Sequence, residues 1–192
     1  MHRIVVGVTG ASGMPLAEKV LRHFAGMGNL EIHLIVSSGA RLVMQSEFRG
    51  GDLSLERHAH AVHAIDDMTA GPASGSWRHD GMIICPCSMS SLASIASGAG
   101  INLIHRAADV TLKERRKLVV IPRETPLTSI HLRNMQTITE AGAVIMPFSP
   151  AYYDCHTTLD QMVQHFAGRI LDQLRIENNI CARWRETIEV AC

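Results

Sequence analysis

The feature that most constrains the fold of this chain is the regular alternation of short apolar runs with amphipathic stretches of helical period. The first run, Arg3-Ile-Val-Val-Gly-Val8, is rich in β-branched residues, as is typical of a strand buried on both faces. Strands that alternate with helices in this way form parallel sheets covered on both sides. The sequence therefore predicts an α/β protein with a doubly wound parallel sheet.

The same periodicity predicts the individual elements. We expect strands at 3–8, 31–36, 82–85, 118–121 and 143–146. We expect helices at 15 to about 27, at 88–97, at 129–141 and at 158–174, and a further helix that Ser37 caps and that ends at about 46. Between 48 and 80 the alternation weakens, and we expect loop with one helix there, leaving a short strand open. A length of 192 residues fits one domain, so we predict a single domain over 1–192.

Composition excludes several classes of partner. Lysine plus arginine and aspartate plus glutamate each number 18, and a formal net charge of zero argues against general affinity for nucleic acid or for an anionic membrane. No apolar stretch approaches the roughly 18–20 residues that span a bilayer. The N-terminus, Met1-His2-Arg3, runs straight into a strand without a signal-peptide cleavage site. We therefore expect a cytoplasmic protein.

The cysteines and histidines form no complete ligand set. Five cysteines are an odd number at scattered positions, so we expect no disulfide framework, and Cys85-Pro86-Cys87 lacks the second pair that structural zinc needs. His58, His60 and His63 follow an H-x-H-x-x-H spacing, but on a helix His58 would lie off the face of the other two. An Asp-rich magnesium motif is absent as well. We expect no metal, and metal-independent chemistry on any phosphate.

The first strand ends in a glycine-rich turn, Gly7-Val-Thr-Gly10-Ala-Ser-Gly13, which opens the first helix. Glycines allow a tight turn, and amides at a helix N-terminus attract anions. The spacing differs from the G-x-G-x-x-G of NAD-binding folds, and the Tyr-x-x-x-Lys pair of short-chain dehydrogenases and the Gly-Lys-Ser/Thr of P-loops are absent. We interpret the turn as a phosphate-binding loop, with a purely structural turn as the alternative.

Hydroxyl groups follow two other strands. Ser37 follows the second strand, and Pro86-Cys-Ser-Met-Ser-Ser91 follows the strand at 82–85. These hydroxyls could bind a phosphate or a polyol, and ordinary N-capping is the alternative. Ligands of open α/β sheets bind beyond the carboxyl ends of the strands, where these residues lie.

Charged residues mark two further places. Arg123 and Glu124 stand between two prolines just after the strand at 118–121, an unusual position for a surface ion pair. Arg106, Asp109 and Lys113 are spaced by three and four residues and share a helix face, where a solvated ion ladder is the alternative to a binding role.

A series of short motifs runs in order along nearly the whole chain. They are Thr9-Gly-Ala-Ser-Gly13, Ser74-Gly-Ser76, Cys85-Pro-Cys-Ser88, Arg106-Ala-Ala-Asp-Val110, Leu112-Lys-Glu-Arg-Arg116, Pro122-Arg-Glu-Thr-Pro-Leu127, His131-Leu132, Gly142-Ala-Val-Ile-Met-Pro147 and Tyr153. Together they closely resemble the UbiX-like flavin prenyltransferases, including the small B subunits associated with hydroxyarylic-acid decarboxylases. The resemblance implies a Rossmann-like flavoprotein fold. It also implies transfer of a dimethylallyl group from dimethylallyl phosphate to N5 and C6 of reduced FMN, which gives prenylated FMN for a UbiD-type decarboxylase, and a homo-oligomer, usually a dodecamer.

The resemblance assigns roles to particular residues. FMN would be bound by Gly10, Ala11, Ser12, Ser37, Ser88, Met89, Ser90, Ser91 and Arg123, and the prenyl phosphate by Lys113, Arg123, Glu124, Tyr153 and Arg169. Catalytic roles would fall to Glu124, Lys113, Tyr153, Glu47 and Ser12, with Glu47 and Ser12 relaying protons near the flavin and Trp184 near the allyl group. Cations and a phenol hydroxyl suit a departing phosphate, and Glu124 or the released phosphate can accept the proton lost on ring closure.

Two rival functions stay open from the sequence. One is a non-catalytic FMN-binding carrier or subunit of a hydroxyarylic-acid decarboxylase complex. The other is a flavin-dependent decarboxylase of peptide cysteine termini, which His23 and Asn102 match poorly in position. The joint presence of Lys113, Glu124, Tyr153 and Arg169 favours catalysis over a carrier role.

Overall fold

The computed structural model of the chain describes residues 1–48, 54–152, 158–181 and 183. Its strands are β1 (His2–Val8), β2 (Leu30–Val36), β3 (Ala61–His63), β4 (Gly81–Cys87), β5 (Lys117–Pro122) and β6 (Val144–Ile145). Its helices are α1 (Met14–Gly26), α2 (Ser38–Glu47), α3 (Met89–Ala96), α4 (Leu103–Lys113), α5 (Ser129–Glu140) and α6 (Leu159–Gln173), with 3₁₀ turns at Leu55–His58 and Gly71–Ala73. Among these residues the strands form one parallel sheet in the order β3-β2-β1-β4-β5-β6. This is the strand order of a doubly wound Rossmann-type sheet, and the predicted fold class is confirmed.

The central strands are buried on both faces, which explains their unbroken apolar sequence. Ile4, Val5 and Val6 of β1 are at most 1% exposed, although successive side chains point to opposite faces. The core of one face includes Ile4 and Val6 with Leu21 and Phe24 of α1 and Phe166 and Ile170 of α6. The core of the other face includes Val5 with Leu92 of α3, Ala107 of α4 and Ile138 of α5. The sheet therefore presents only its edges and strand ends to ligands.

The predicted element boundaries lie within two residues of those in the structure, except between 48 and 80. That region holds two 3₁₀ turns and β3 in place of the expected helix, and β3 is the short strand that the sequence left open. Gly71 and the buried Pro72 disfavour a longer helix at the second turn. His58 ends one turn and His63 lies in β3, so the three histidines do not lie on one helix.

Two further features of the described residues bear on the sequence predictions. No helix among them is long and apolar enough to cross a membrane. Cys85 and Cys87 are free thiols, and burial raises the pKa of each to about 12. Both buried thiols therefore stay protonated and act as small core residues.

Candidate active site at the carboxyl edge of the sheet

The carboxyl ends of β1 and β4 meet at the switch point of the sheet, where chain connections leave in opposite directions. The N-termini of α1, α2 and α3 follow β1, β2 and β4 at this same edge. Each helix N-terminus presents backbone amides that have no partner within the helix, and the positive end of the helix dipole. The edge is therefore suited to an anionic ligand.

Thr9 joins the two strands at the switch point. Its amide and its hydroxyl both donate to the Pro86 carbonyl, at 3.1 and 2.9 Å, and its hydroxyl oxygen accepts from the Ser88 amide at 2.7 Å. The residue is buried. Thr9 therefore holds the glycine turn against the serine-rich start of α3, a role that sequence reasoning missed because its partners lie far along the chain.

The glycines of the turn have steric reasons for being glycine. A Cβ on Gly10 would lie 2.9 Å from the carbonyl carbon of Gly39, so the turn and the start of α2 approach more closely than any side chain allows. Gly13 caps α1 with a φ of 119°, in the left-handed region that favours glycine. The predicted tight turn is confirmed.

The N-terminus of α1 binds a carboxylate of the chain itself. Both Glu47 oxygens accept from the Gly13 amide at 3.1 Å, and Oε2 accepts from the Met14 amide at 2.8 Å. Burial of Glu47 favours its neutral form, but hydrogen bonds from the Ser12 hydroxyl and these amides, with the charge of Arg123, outweigh burial and lower its pKa. Ser12 thus helps to keep the Glu47 carboxylate ionised. Because the Gly13 amide is hydrogen-bonded to Glu47, a phosphate at this turn would bind on the Gly10–Ser12 side of the turn.

The serines after β2 and β4 act in part as helix caps. The Ser37 oxygen accepts from the Ala40 amide at 3.1 Å, and the Ser88 oxygen accepts from the Ser91 amide at 3.2 Å. The N-capping alternative therefore explains Ser37 and Ser88. It does not explain Ser90, which is exposed at the same helix start.

Arg123 and Glu124 lie at the same edge, directly after β5. The Arg123 amide donates to the Cys87 carbonyl at 3.2 Å, and its side chain reaches the glycine turn, with Cγ 4.0 Å from a Cβ built on Gly13. Glu124 is exposed, and its carboxylate accepts from the Thr125 amide at 3.0 Å. Glu47, Ser12, Arg123 and Glu124 thus lie at one edge.

Lys113 lies at the amino ends of the parallel strands, opposite the carboxyl edge that holds Glu124. It is the last residue of α4, and the chain then enters β5 at Lys117, which pairs with Gly81 at the start of β4. The predicted ion ladder forms in part, since Arg106 bonds to Asp109 at 2.7 Å. Lys113 pairs with Glu114 instead. A single chain therefore does not bring Lys113 to Glu124.

Arg169 is also remote from the carboxyl edge. It is exposed on α6, where it bonds to Asp172 at 2.7 Å, and the residue after this helix, Leu174, packs on Gly81 at the start of β4. Tyr153 and Trp184 lie outside the described residues. Of the predicted prenyl-phosphate residues, one chain brings together Arg123 and Glu124.

Comparison with known proteins identifies the family. Residues 1–171 match the family model described as Flavoprotein. The flavin prenyltransferase LpdB of Lactiplantibacillus plantarum is 44% identical over 184 residues, which cover 96% of this chain and 98% of LpdB.

Solved structures agree with this match. The structure of AnUbiX (PadA1) in complex with FMN and dimethylallyl pyrophosphate superposes with a TM-score of 0.90 at 45% identity, covering 97% of this chain and 98% of that one. A dodecameric FMN-dependent UbiX-like decarboxylase from Escherichia coli O157:H7 gives a TM-score of 0.89 at 42% identity, covering 95% and 99%. With similarity of this degree over almost its full length, the chain belongs to the flavoprotein family, as one of the UbiX-like flavin prenyltransferases.

Proposed function

We propose that the protein joins the dimethylallyl group of dimethylallyl phosphate to N5 and C6 of reduced FMN. The observation that carries this proposal is the convergence of α1, α2 and α3 N-termini with hydroxyl groups and Arg123 at the switch point. The names of the similar proteins support the same reading.

The donor groups at this edge fit FMN. A phosphate and a polyol chain need amides, hydroxyls and a cation, and the edge supplies them from Gly10, Ala11, Ser12, Ser37, Ser88, Met89, Ser90, Ser91 and Arg123. Reduced FMN would supply the nucleophilic N5 for attack on the allylic carbon. Exposed Ser12 and Ser90 remain accessible to such a ligand.

Glu47 and Ser12 would manage a proton on the flavin side of the site. The carboxylate is ionised, because its hydrogen bonds lower its pKa, and it accepts from the Ser12 hydroxyl. An ionised carboxylate that holds a hydroxyl can pass a proton along that bond. Ser12 would be the group that contacts the ligand, with Glu47 behind it.

Arg123 and Glu124 would act on the prenyl donor. A guanidinium stabilises the charge that develops on a departing phosphate, and this needs no metal. Glu124 is exposed beside it and can accept the proton that leaves when the new ring closes. The released phosphate is the alternative acceptor.

Lys113 and Arg169 would complete the prenyl-phosphate site from other copies of the chain, and Tyr153 would be a further ligand of the phosphate. Lys113 and Arg169 lie away from the carboxyl edge of their own chain, so they can reach Glu124 only across an interface between subunits. We therefore propose a homododecamer, an assembly that the E. coli relative also forms.

The wider setting follows from the same reading. We propose that residues 1–192 form one flavin-binding prenyltransferase domain in the cytoplasm, whose product, prenylated FMN, is received by a UbiD-type decarboxylase. The free thiols of Cys85 and Cys87 are in keeping with a reducing compartment.

The proposal is tested by mixing the protein with reduced FMN and dimethylallyl phosphate and measuring the mass of the flavin. We expect a flavin heavier by one C5H8 unit, formed equally well after EDTA treatment, with dimethylallyl diphosphate as a parallel donor. Tight FMN binding without a new flavin from either donor would favour the non-catalytic carrier. Activity that requires added Mg²⁺ would contradict the metal-free reaction.

A further inference from the structure

Residues 74–77 form a loop against the C-terminal end of α4, and Gly75 touches the charged ends of two side chains there. A Cβ built on Gly75 would lie 2.7 Å from Lys113 Nζ and closer still to Glu114 Oε1. Real Cβ atoms essentially never come within 3.0 Å of another heavy atom in this way. The Lys113–Glu114 ion pair therefore occupies the space that any side chain at this position would need.

The backbone of this loop is fixed in place by Arg116. The guanidinium donates to the Gly75 carbonyl at 2.7 Å and to the Trp77 carbonyl at 3.1 Å. A planar guanidinium that binds two carbonyls orients the peptide planes between them. If Gly75 acquired a side chain, the free ends of Lys113 and Glu114 would move more easily than this backbone.

We propose that Gly75, held by Arg116, is a positioning residue for the prenyl-donor phosphate. The inference rests on the proposed function, in which Lys113 binds that phosphate. The bare backbone at Gly75 lets the Lys113 ammonium lie against the loop beside Glu114, which limits where a long flexible side chain can place its charge. A prealigned ammonium binds phosphate with less loss of side-chain freedom than a mobile one.

The replacement Gly75→Ala tests this geometry with little expected effect on the fold. The φ of Gly75 is not positive, so alanine is compatible with its backbone, and the atoms it would displace are the far ends of flexible side chains. We expect the KM for dimethylallyl phosphate, and the inhibition constant of inorganic phosphate, to rise roughly 10-fold. The dissociation constant of FMN and the Tm should stay near wild type. Gly26→Ala is the matched control, because a Cβ there meets no atom within 4 Å.

Two further variants make the result decisive. Arg116→Lys keeps the charge but loses the paired hydrogen bonds to the Gly75 and Trp77 carbonyls. It should raise the KM for dimethylallyl phosphate by a smaller factor than Gly75→Ala does. Lys113→Ala is the reference that measures what the ammonium contributes. An unchanged KM in Gly75→Ala, while Lys113→Ala raises it, would overturn the inference and leave the proposed function standing.

Two other outcomes would also overturn the inference. An unchanged KM in Lys113→Ala would overturn the inference and also remove Lys113 from the proposed site, while product formation would still support the prenyltransferase. A parallel fall in Tm and in FMN affinity in both Gly75→Ala and Arg116→Lys would show a structural role alone, and it too would overturn the inference.

Discussion

Glu47 shows how one residue can link two parts of the site. Its carboxylate is 33 positions from Met14 in sequence yet accepts that residue's amide at 2.8 Å. Glu47→Gln keeps an acceptor oxygen but removes the charge at the N-terminus of α1. We expect the free energy of unfolding at neutral pH to fall by roughly 1 kcal/mol, measured by urea denaturation.

The pH dependence of this effect has a definite sign. The pKa of Glu47 is lower in the folded chain than its ordinary value of 4.5, so its stabilisation is present above that value and is lost as pH falls through the folded pKa. In Glu47→Gln, the part of the stability loss at acid pH that comes from Glu47 should disappear. Glu140→Gln, on the exposed face of α5, is the control. Identical acid profiles for the two variants would contradict the role of Glu47.

Glu124 is the residue on which the proposed chemistry depends most. Glu124→Gln should bind FMN and the prenyl donor normally but should slow formation of the product by roughly 10²–10⁴-fold, the usual contribution of a general acid–base group. Single-turnover absorption spectra of the flavin measure the rate, and exposed Glu177→Gln serves as the control. Near-wild-type turnover would mean that Glu124 is only a surface charge.

At the scale of elements, the sequence predicts what depends on neighbours along the chain. The runs of β-branched residues predict the strands, and serines after strand ends predict the caps of α2 and α3, because periodicity and capping are local. Contacts that depend on strand order could not be predicted. Thr9 reaches Pro86 only because β1 and β4 are adjacent and parallel. Lys113 lies at the amino edge because α4 returns the chain to the start of β5, which is parallel to β4.

The segment before β4 makes stability depend on pH. His79 is buried, its Nδ1 bonds to the Gly81 carbonyl at 3.2 Å, and its Nε2 has no partner among the described residues. Burial, partly opposed by the Gly81 carbonyl, lowers the pKa of His79 to about 4 from an ordinary 6.5. The unfolded chain therefore binds more protons between these values, and the folded state should lose stability as pH falls through that window.

This dependence can be measured. The loss from His79 should reach on the order of 3 kcal/mol near pH 4, as expected when one group's pKa differs by between two and three units. In His79→Asn, urea denaturation from pH 7 to pH 4.5 should show a shallower decline. His60→Asn, at an exposed position, is the control for loss of an imidazole. Equal slopes in wild type and His79→Asn would refute the assignment.

At the scale of the whole molecule, the positions of the proposed prenyl-phosphate residues require an assembly. Arg123 and Glu124 are at the carboxyl edge, whereas Lys113 ends α4 at the amino edge of the same sheet. Light scattering at micromolar protein should therefore give the mass of a homododecamer. A stable species with the mass of one chain, active in product formation, would show that the site is complete without partners.

Mixed assemblies test the shared site directly. Glu124→Gln and Lys113→Ala should each form product far more slowly than wild type when alone, because every site in either assembly lacks one group. If the two groups at a site come from different subunits, random mixing after dissociation and reassembly should rebuild both in about a quarter of the sites. Wild type mixed with an excess of Glu124→Gln and reassembled in the same way is the reference. It shows how far product formation falls when wild-type subunits are diluted by inactive ones. Recovery of product formation only after reassembly supports a site shared between subunits. Persistent inactivity of a mixture that has demonstrably exchanged subunits would mean that Lys113 and Glu124 do not meet across an interface, and the proposed prenyl-phosphate site would then lose Lys113.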